Sequence, residues 1–202
     1  MNQAAFKNVT PNAKLALVNS KLGNKALSRN QGSSVEIFDY IKVNTSVGNA
    51  ATIRFFDGVN TRQFPYTNLQ QNQLGVGEGL AIMYIALTRL TVNLGTNKIT
   101  SQTSLLTASG LALSQLNILL DNSRILKNNS LTRANSIFNT QGHTGTNNLF
   151  YPDTDLTIPP QISFTVELQT PENSDTVPAE SDVYYGCHLF GTGAILNLKT
   201  NV

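Results

Sequence analysis

The chain has 202 residues, a formal net charge of +2 and charged side chains at 13% of its positions, about half the roughly 25% of an average globular domain. That length holds one large or two small domains, and the single cysteine, Cys187, excludes a disulfide framework within the chain and leaves a cysteine-based metal site without support. No stretch reaches the 18 apolar residues of a membrane-spanning helix, and the N-terminus lacks the continuous apolar region of a secretory signal, so neither is expected. Polar character comes from 24 Asn and 22 Thr, neutral groups that subunits can bury against one another at lower cost than charges.

The chain begins with its most asymmetric segment. Residues 1–34 carry Lys7, Lys14, Lys21, Lys25 and Arg29 and no Asp or Glu, whereas the remainder holds nine Lys/Arg against twelve Asp/Glu. A basic arm on a mildly acidic body implies two kinds of partner. The arm suits a polyanion or an anionic membrane surface, and the body suits solvent or protein. Pro11 and Asn12 open a predicted helix over residues 13–27. At about 100° per residue, Lys14, Lys21 and Lys25 fall within about 40° of one another, beside an apolar stripe of Leu15, Val18, Leu22 and Ala26. Gly23 weakens this short amphipathic helix, which is expected to order only against a partner. Gly32-Ser33-Ser34 reads as a hinge, dividing the chain into an arm, 1–34, and a body, 35–202.

The body reads as strands. Residues 35–43 alternate, with Val35, Ile37, Asp39, Ile41 and Val43 on one face and Glu36, Phe38, Tyr40 and Lys42 on the other. Residues 52–56 form a second strand ended by Asp57-Gly58, and 61–64 return as a third, stopped by Pro65. Residues 66–79 are irregular. The glycines of Gly75-Val76-Gly77-Glu78-Gly79 precede a strand instead of following one, so they serve a tight bend and not a phosphate cradle. Residues 80–92 are the strongest element, with Ile82, Tyr84, Ala86, Thr88, Leu90 and Val92 on one side. Further strands are predicted over 111–120 and, after the Asp121-Asn122-Ser123 turn, over 124–131. Residues 132–160 read as one long loop of interfacial or functional character. Residues 161–168 alternate cleanly, 171–182 form an exposed acidic loop, and 183–198 close the chain as one or two strands broken at Gly191-Thr192-Gly193. Seven to nine short strands with long polar loops point to an all-β, antiparallel sandwich or jelly roll.

Catalytic patterns are nearly absent. Cys187 and His188 are neighbours on a strand and point to opposite faces, which disfavours a nucleophile pair. His143, His188, Asp153 and Asp155 lack metal-ligand spacing. Phe55, Phe56, Phe64 and Tyr66 offer an aromatic platform, although alternating aromatics in strands are more often core. No enzyme activity, cofactor, metal or small-molecule substrate is therefore expected.

The stretch Phe55-Phe56-Asp57-Gly58-Val59, continued by Arg62-Gln63-Phe64-Pro65-Tyr66-Thr67-Asn68-Leu69-Gln70-Gln71-Asn72-Gln73-Leu74-Gly75-Val76-Gly77-Glu78-Gly79-Leu80-Ala81-Ile82, resembles segments of small bacteriophage structural proteins. The proline stop Pro159-Pro160 before the strand Gln161-Ile162-Ser163-Phe164-Thr165-Val166 is similar to jelly-roll coat proteins. The resemblance covers about 40 residues. It implies a capsid subunit built on a single jelly roll, self-assembling into a shell within a virion. Its partners would be copies of itself and other capsid proteins. The arm residues Lys7, Lys14, Lys21, Lys25 and Arg29 would face the particle interior, towards nucleic acid or the inner face of a viral membrane. The alternative is a β-sandwich binding or adhesion module, such as a spike or receptor-binding domain, acting through loops such as 139–157.

Overall fold

The computed structural model describes residues 33–43, 51–105, 114–130, 149–150, 152, 156–170 and 177–194. The predicted basic helix and the arm residues Lys7, Lys14, Lys21, Lys25 and Arg29 lie outside this set, as do His143, Asp153 and Asp155.

The described chain is all-β and antiparallel. Its strands are β1 (Ser33–Lys42), β2 (Ala51–Phe55), β3 (Gly79–Asn93), β4 (Ile99–Ser104), β5 (Gln115–Leu120), β6 (Ser123–Ser130), β7 (Leu149–Phe150), β8 (Leu156–Ile158), β9 (Phe164–Thr170) and β10 (Ser181–Ala194). Sheet A has the order β1-β10-β3-β4, with β7 and β8 also paired to β3. The short strands share one edge of β3 end to end: β8 at Leu80 to Ile82, β7 at Ile85 and Ala86, and β4 at Thr88 to Val92. Sheet B has the order β2-β9-β5-β6.

The two sheets bury their inner faces in one core. Ile37, Leu87, Tyr185 and Leu189 come from sheet A, and Ile53, Leu116, Val166 and Leu168 from sheet B. Phe56 packs on Phe164 with ring centroids 5.2 Å apart. Alternation along β1 and β9 puts every second side chain into this core, because successive residues of a strand face opposite ways.

Several expectations are corrected. Residues 61–64 do not return as a strand. Val59–Thr61 forms a single 3-10 turn, and Arg62 then turns inwards to Asp39. β3 does not keep one alternation. Opposite the Phe190/Gly191 step the register shifts, leaving Met83 as an extra residue, so Ile82 enters the core while Tyr84 points outwards. β10 is not broken at Gly191-Thr192-Gly193 but runs through it. Gly191 is required there, since a β-carbon would collide with the carbonyl oxygen of Ala81. The long loop predicted over 132–160 contains β7 and β8. β9 begins at Phe164, because Gln161 adopts φ 60° and Ile162 remains exposed. β4, absent from the expected strands, has no apolar face to betray it: Ile99 to Thr103 are all exposed.

The outer edge of β1 is covered by residues 66–68. Tyr40 N–H donates to the Tyr66 carbonyl at 2.7 Å, and the Asn68 side chain accepts from Phe38 N–H and donates to the Glu36 carbonyl, each at 2.9 Å. An amide side chain here replaces strand backbone and shields an edge that would otherwise invite pairing.

Candidate functional site

The outward face of sheet A is the chain's most distinctive surface. An antiparallel sheet with one face on the core ordinarily presents polar residues on the other. Here the cross-strand register assembles aromatic rungs. Glu36, Phe190 and Tyr84 form the first, and Phe38, His188 and Ala86 the second. Tyr40, Gly186 and Thr88 form the third, and Lys42, Tyr184 and Leu90 the fourth. Phe64 and Tyr66 extend this face from the covering loop and are more than a third exposed.

The rings are organised against one another. Tyr84 and Phe190 stack at 4.5 Å, Phe190 and His188 lie within 10° of parallel at 6.0 Å, and Phe38 lies 5.7 Å from His188. Tyr66 stacks on Tyr184 at 4.9 Å. Cross-strand aromatic pairs of this kind stiffen a sheet surface. Gly186 makes room for the arrangement, because a β-carbon would collide with the Tyr40 ring and with Thr88 Oγ1.

Through the middle of these rungs runs a polar chain. His188 Nδ1 lies 2.6 Å from Glu36 Oε1, and His188 Nε2 lies 2.8 Å from the Tyr40 hydroxyl. With the proton on Nδ1, the imidazole donates to the carboxylate and accepts from the phenol. Burial pushes the Tyr40 phenol up, Thr88 opposes this by hydrogen bonding, and the Glu36 charge adds to it. Burial likewise raises Tyr184, reinforced by its hydrogen bond with Tyr66. Both phenols are held neutral, as donors and ring surfaces, and are not poised as nucleophiles.

Cys187 and His188 do face opposite ways. Cys187 is fully buried in the core, and burial, followed by the charge of Asp39, pushes its thiol well up. A buried, protonated thiol is inert. Of the four aromatics read as a possible platform, Phe55 and Phe56 are core, while Phe64 and Tyr66 join the outward face. Among the described residues no group of three or more His, Cys, Asp or Glu is placed to hold a metal ion.

The outward face of sheet B is built differently. Glu167, nearly buried, takes Arg54 at 3.1 Å, and Arg124 approaches its second oxygen at 3.9 Å. This charged row borders a shallow polar depression lined by Asp121, Asn122, Ser163 and Thr165.

The aromatic face escaped the reading of the sequence because its rungs come from three separated strands. The signal was nevertheless present within single strands, in Phe38 and Tyr40 and in Tyr184, His188 and Phe190, all at a period of two. The arm residues Lys7, Lys14, Lys21, Lys25 and Arg29 lie outside the described residues. No family model matches the chain, and no curated protein matches it.

Proposed function

We propose that the chain is a bacteriophage-type viral capsid subunit, a single jelly roll that assembles with copies of itself into a shell. The observation that supports this reading is the nesting of its strand pairs. Set aside β4 as an added hairpin strand, and count β7 and β8 as one interrupted strand; eight strands remain in chain order. The first then pairs with the eighth, the second with the seventh, the third with the sixth and the fourth with the fifth. That nesting is what one long antiparallel hairpin leaves after wrapping into two sheets. It supports a jelly-roll reading, the arrangement that serves viral capsid and lectin domains.

Between those uses, composition favours the shell. Few charges and many amide side chains suit repeated subunit contacts, and a +5 arm joined to an acidic body suits a shell lining a polyanion or an anionic membrane. Affinity would come from counterion release, without sequence specificity. Deleting residues 1–30 is the test of the arm. The body is expected to fold, with assembly or packaging impaired. Unchanged particle yield and genome content would remove the interior role of Lys7, Lys14, Lys21, Lys25 and Arg29.

One observation favours the second reading, a β-sandwich binding or adhesion module: the aromatic outward face of sheet A. Its rings, however, occupy one another's faces at 10–31°. A sugar platform needs ring faces left open, so this face suits protein contact better. A chain that stays small and binds glycan through its loops would favour the module.

A further inference from the structure

We infer that the depression on the outward face of sheet B is a binding site for a neutral saccharide, either a free sugar or the end of a glycan chain, held by Asp121, Asn122, Ser163, Thr165 and Glu167 with Arg54 at its rim. The inference goes beyond the shell reading and stands without it.

Strand register builds the site. Val166 and Leu168 enter the core, so Thr165 and Glu167 face outwards. Arg54 lies opposite Glu167, and Leu119 lies opposite Thr165. β2 stops at Phe55, opposite Val166, and β9 then changes partner: Phe164 N–H donates to the Asn72 carbonyl at 2.9 Å. The depression lies across this change of partner and is bounded by the turn between β5 and β6. That turn is fastened where Asp121 N–H donates to the Ser163 carbonyl at 2.8 Å. Asp121 and Asn122 are exposed, and Ser163 and Thr165 partly so, which leaves the site open to solvent.

Its polar groups are uncommitted. Among the described residues, no hydrogen bond engages the side chains of Asp121, Asn122, Ser163 or Thr165. Glu167 is only 4% exposed, yet its Oε2 makes no hydrogen bond. Arg54 holds the other oxygen at 3.1 Å, and Arg124 stands off Oε2 at 3.9 Å. A buried acceptor left open in this way is uncommon in a folded protein, and a ligand hydroxyl satisfies it.

The mixture of groups selects the ligand. An anion meets two carboxylates, Asp121 and Glu167. A metal ion meets the guanidinium groups of Arg54 and Arg124 beside Glu167. A sugar hydroxyl donates and accepts at once. Asp121 and Glu167 accept from it, Arg54 and Asn122 donate to it, and the Ser163 and Thr165 hydroxyls do either. Leu119 adds apolar surface for the C–H groups of the ring. No aromatic ring is among the described residues that line the depression, so affinity rests on hydrogen bonds and is expected on the order of millimolar.

Saturation-transfer NMR on the full-length protein tests the inference, because the signal is read on the ligand and serves a monomer or a shell alike. The probes are the methyl glycosides of glucose, galactose, mannose and N-acetylglucosamine, free at about 1–20 mM and, separately, immobilised on a surface. Asp121→Asn suits the φ of 43° at that position, and Thr165→Val keeps the side-chain shape. Each is expected to weaken binding at least about tenfold with the melting transition retained. If one variant fails to fold, the other decides. Saturation of a free glycoside assigns a soluble sugar, and capture by the immobilised form alone assigns a surface glycan; either supports the inference when a folded variant loses it. No binding to either form, or binding that every folded variant keeps, overturns it. So does a rise in melting temperature with Ca²⁺ alone that Asp121→Asn abolishes, which would make this a cation site. Preferential binding of a methyl glucuronide overturns it as well, in favour of an anion. Light scattering of the same samples reports shell assembly separately, so the two readings fail independently.

Discussion

Asp39 and Arg62 form a bidentate ion pair, at 2.9 Å through Nε and 2.6 Å through Nη2, which fastens the loop after β2 onto β1. Asp39 is fully buried and also accepts the Phe56 N–H at 2.7 Å, while Arg62 reaches the Asp57 carbonyl at 2.6 Å. Arg62→Ala strands a buried carboxylate and is expected to cost about 3 kcal/mol, read as a lower denaturant midpoint. Loss of less than about 0.5 kcal/mol would mean that the pair is a surface ornament to the fold.

The same pair sets a pH dependence. Burial raises the Asp39 carboxyl above its ordinary 3.8, and the Arg62 hydrogen bond, the Phe56 N–H, the Arg62 charge and Thr67 oppose that rise. A carboxyl raised in the folded state contributes most when protonated, below its unfolded pKa, and its contribution falls as pH rises through the folded value. Without Arg62 the folded value rises further. The stability gap between the native chain and Arg62→Ala should therefore widen from pH 4 towards pH 7. A gap independent of pH would contradict this account.

The two faces of β1 were legible in the sequence because period-two alternation maps directly onto a half-buried strand. Val35, Ile37 and Asp39 point in, and Glu36, Phe38 and Tyr40 point out. Asp39 on the inner face was visible as an anomaly, but its partner was not. Arg62 lies in the run 61–64 that propensity assigns to a strand, and only tertiary contact turns it inwards. The extra residue at Met83 was also hidden, since a bulge leaves an apolar run unchanged while reversing which side chains share a face. The aromatic face required the order of β1, β10 and β3, which single-strand patterns do not encode.

Small residues on the β10–β3 contact carry two different costs. Gly186→Ala places a methyl against the Tyr40 ring and Thr88 Oγ1, side chains that can move, and is expected to cost about 1–3 kcal/mol. Gly191→Ala meets the Ala81 backbone instead, which cannot move without opening the β10–β3 register, so it should destabilise more. Thermal melts of the two variants check the order, and the reverse order would place the tight approach elsewhere.

The inner layer has its own test. Phe164 is buried and packs on Phe56 across the core. Phe164→Ala is expected to cost about 3–5 kcal/mol, with Ile162→Ala, at a more exposed site just before β9, costing far less. Equal losses would contradict the start of β9 at Phe164.

Tyrosine ionisation reports the outward face. Tyr40 and Tyr184 are both raised above the ordinary 10, so near pH 10–11 the unfolded chain ionises there before the folded one. Their contribution to stability is complete below pH 10 and is lost as pH rises beyond it. Ultraviolet titration should show fewer tyrosines ionising near pH 10–11 in the native chain than in denaturant, and Tyr184→Phe should remove one late-titrating group. Native and denatured titrations that coincide would contradict the packing of this face.

The shell is the central claim, and the mass of the purified full-length protein tests it most directly. Light scattering across a range of salt concentrations, with electron micrographs of the same samples, should give trimers, pentamers, hexamers or closed shells whose proportions shift with salt. A uniform 21.9 kDa monomer at high concentration would contradict it and favour the binding module.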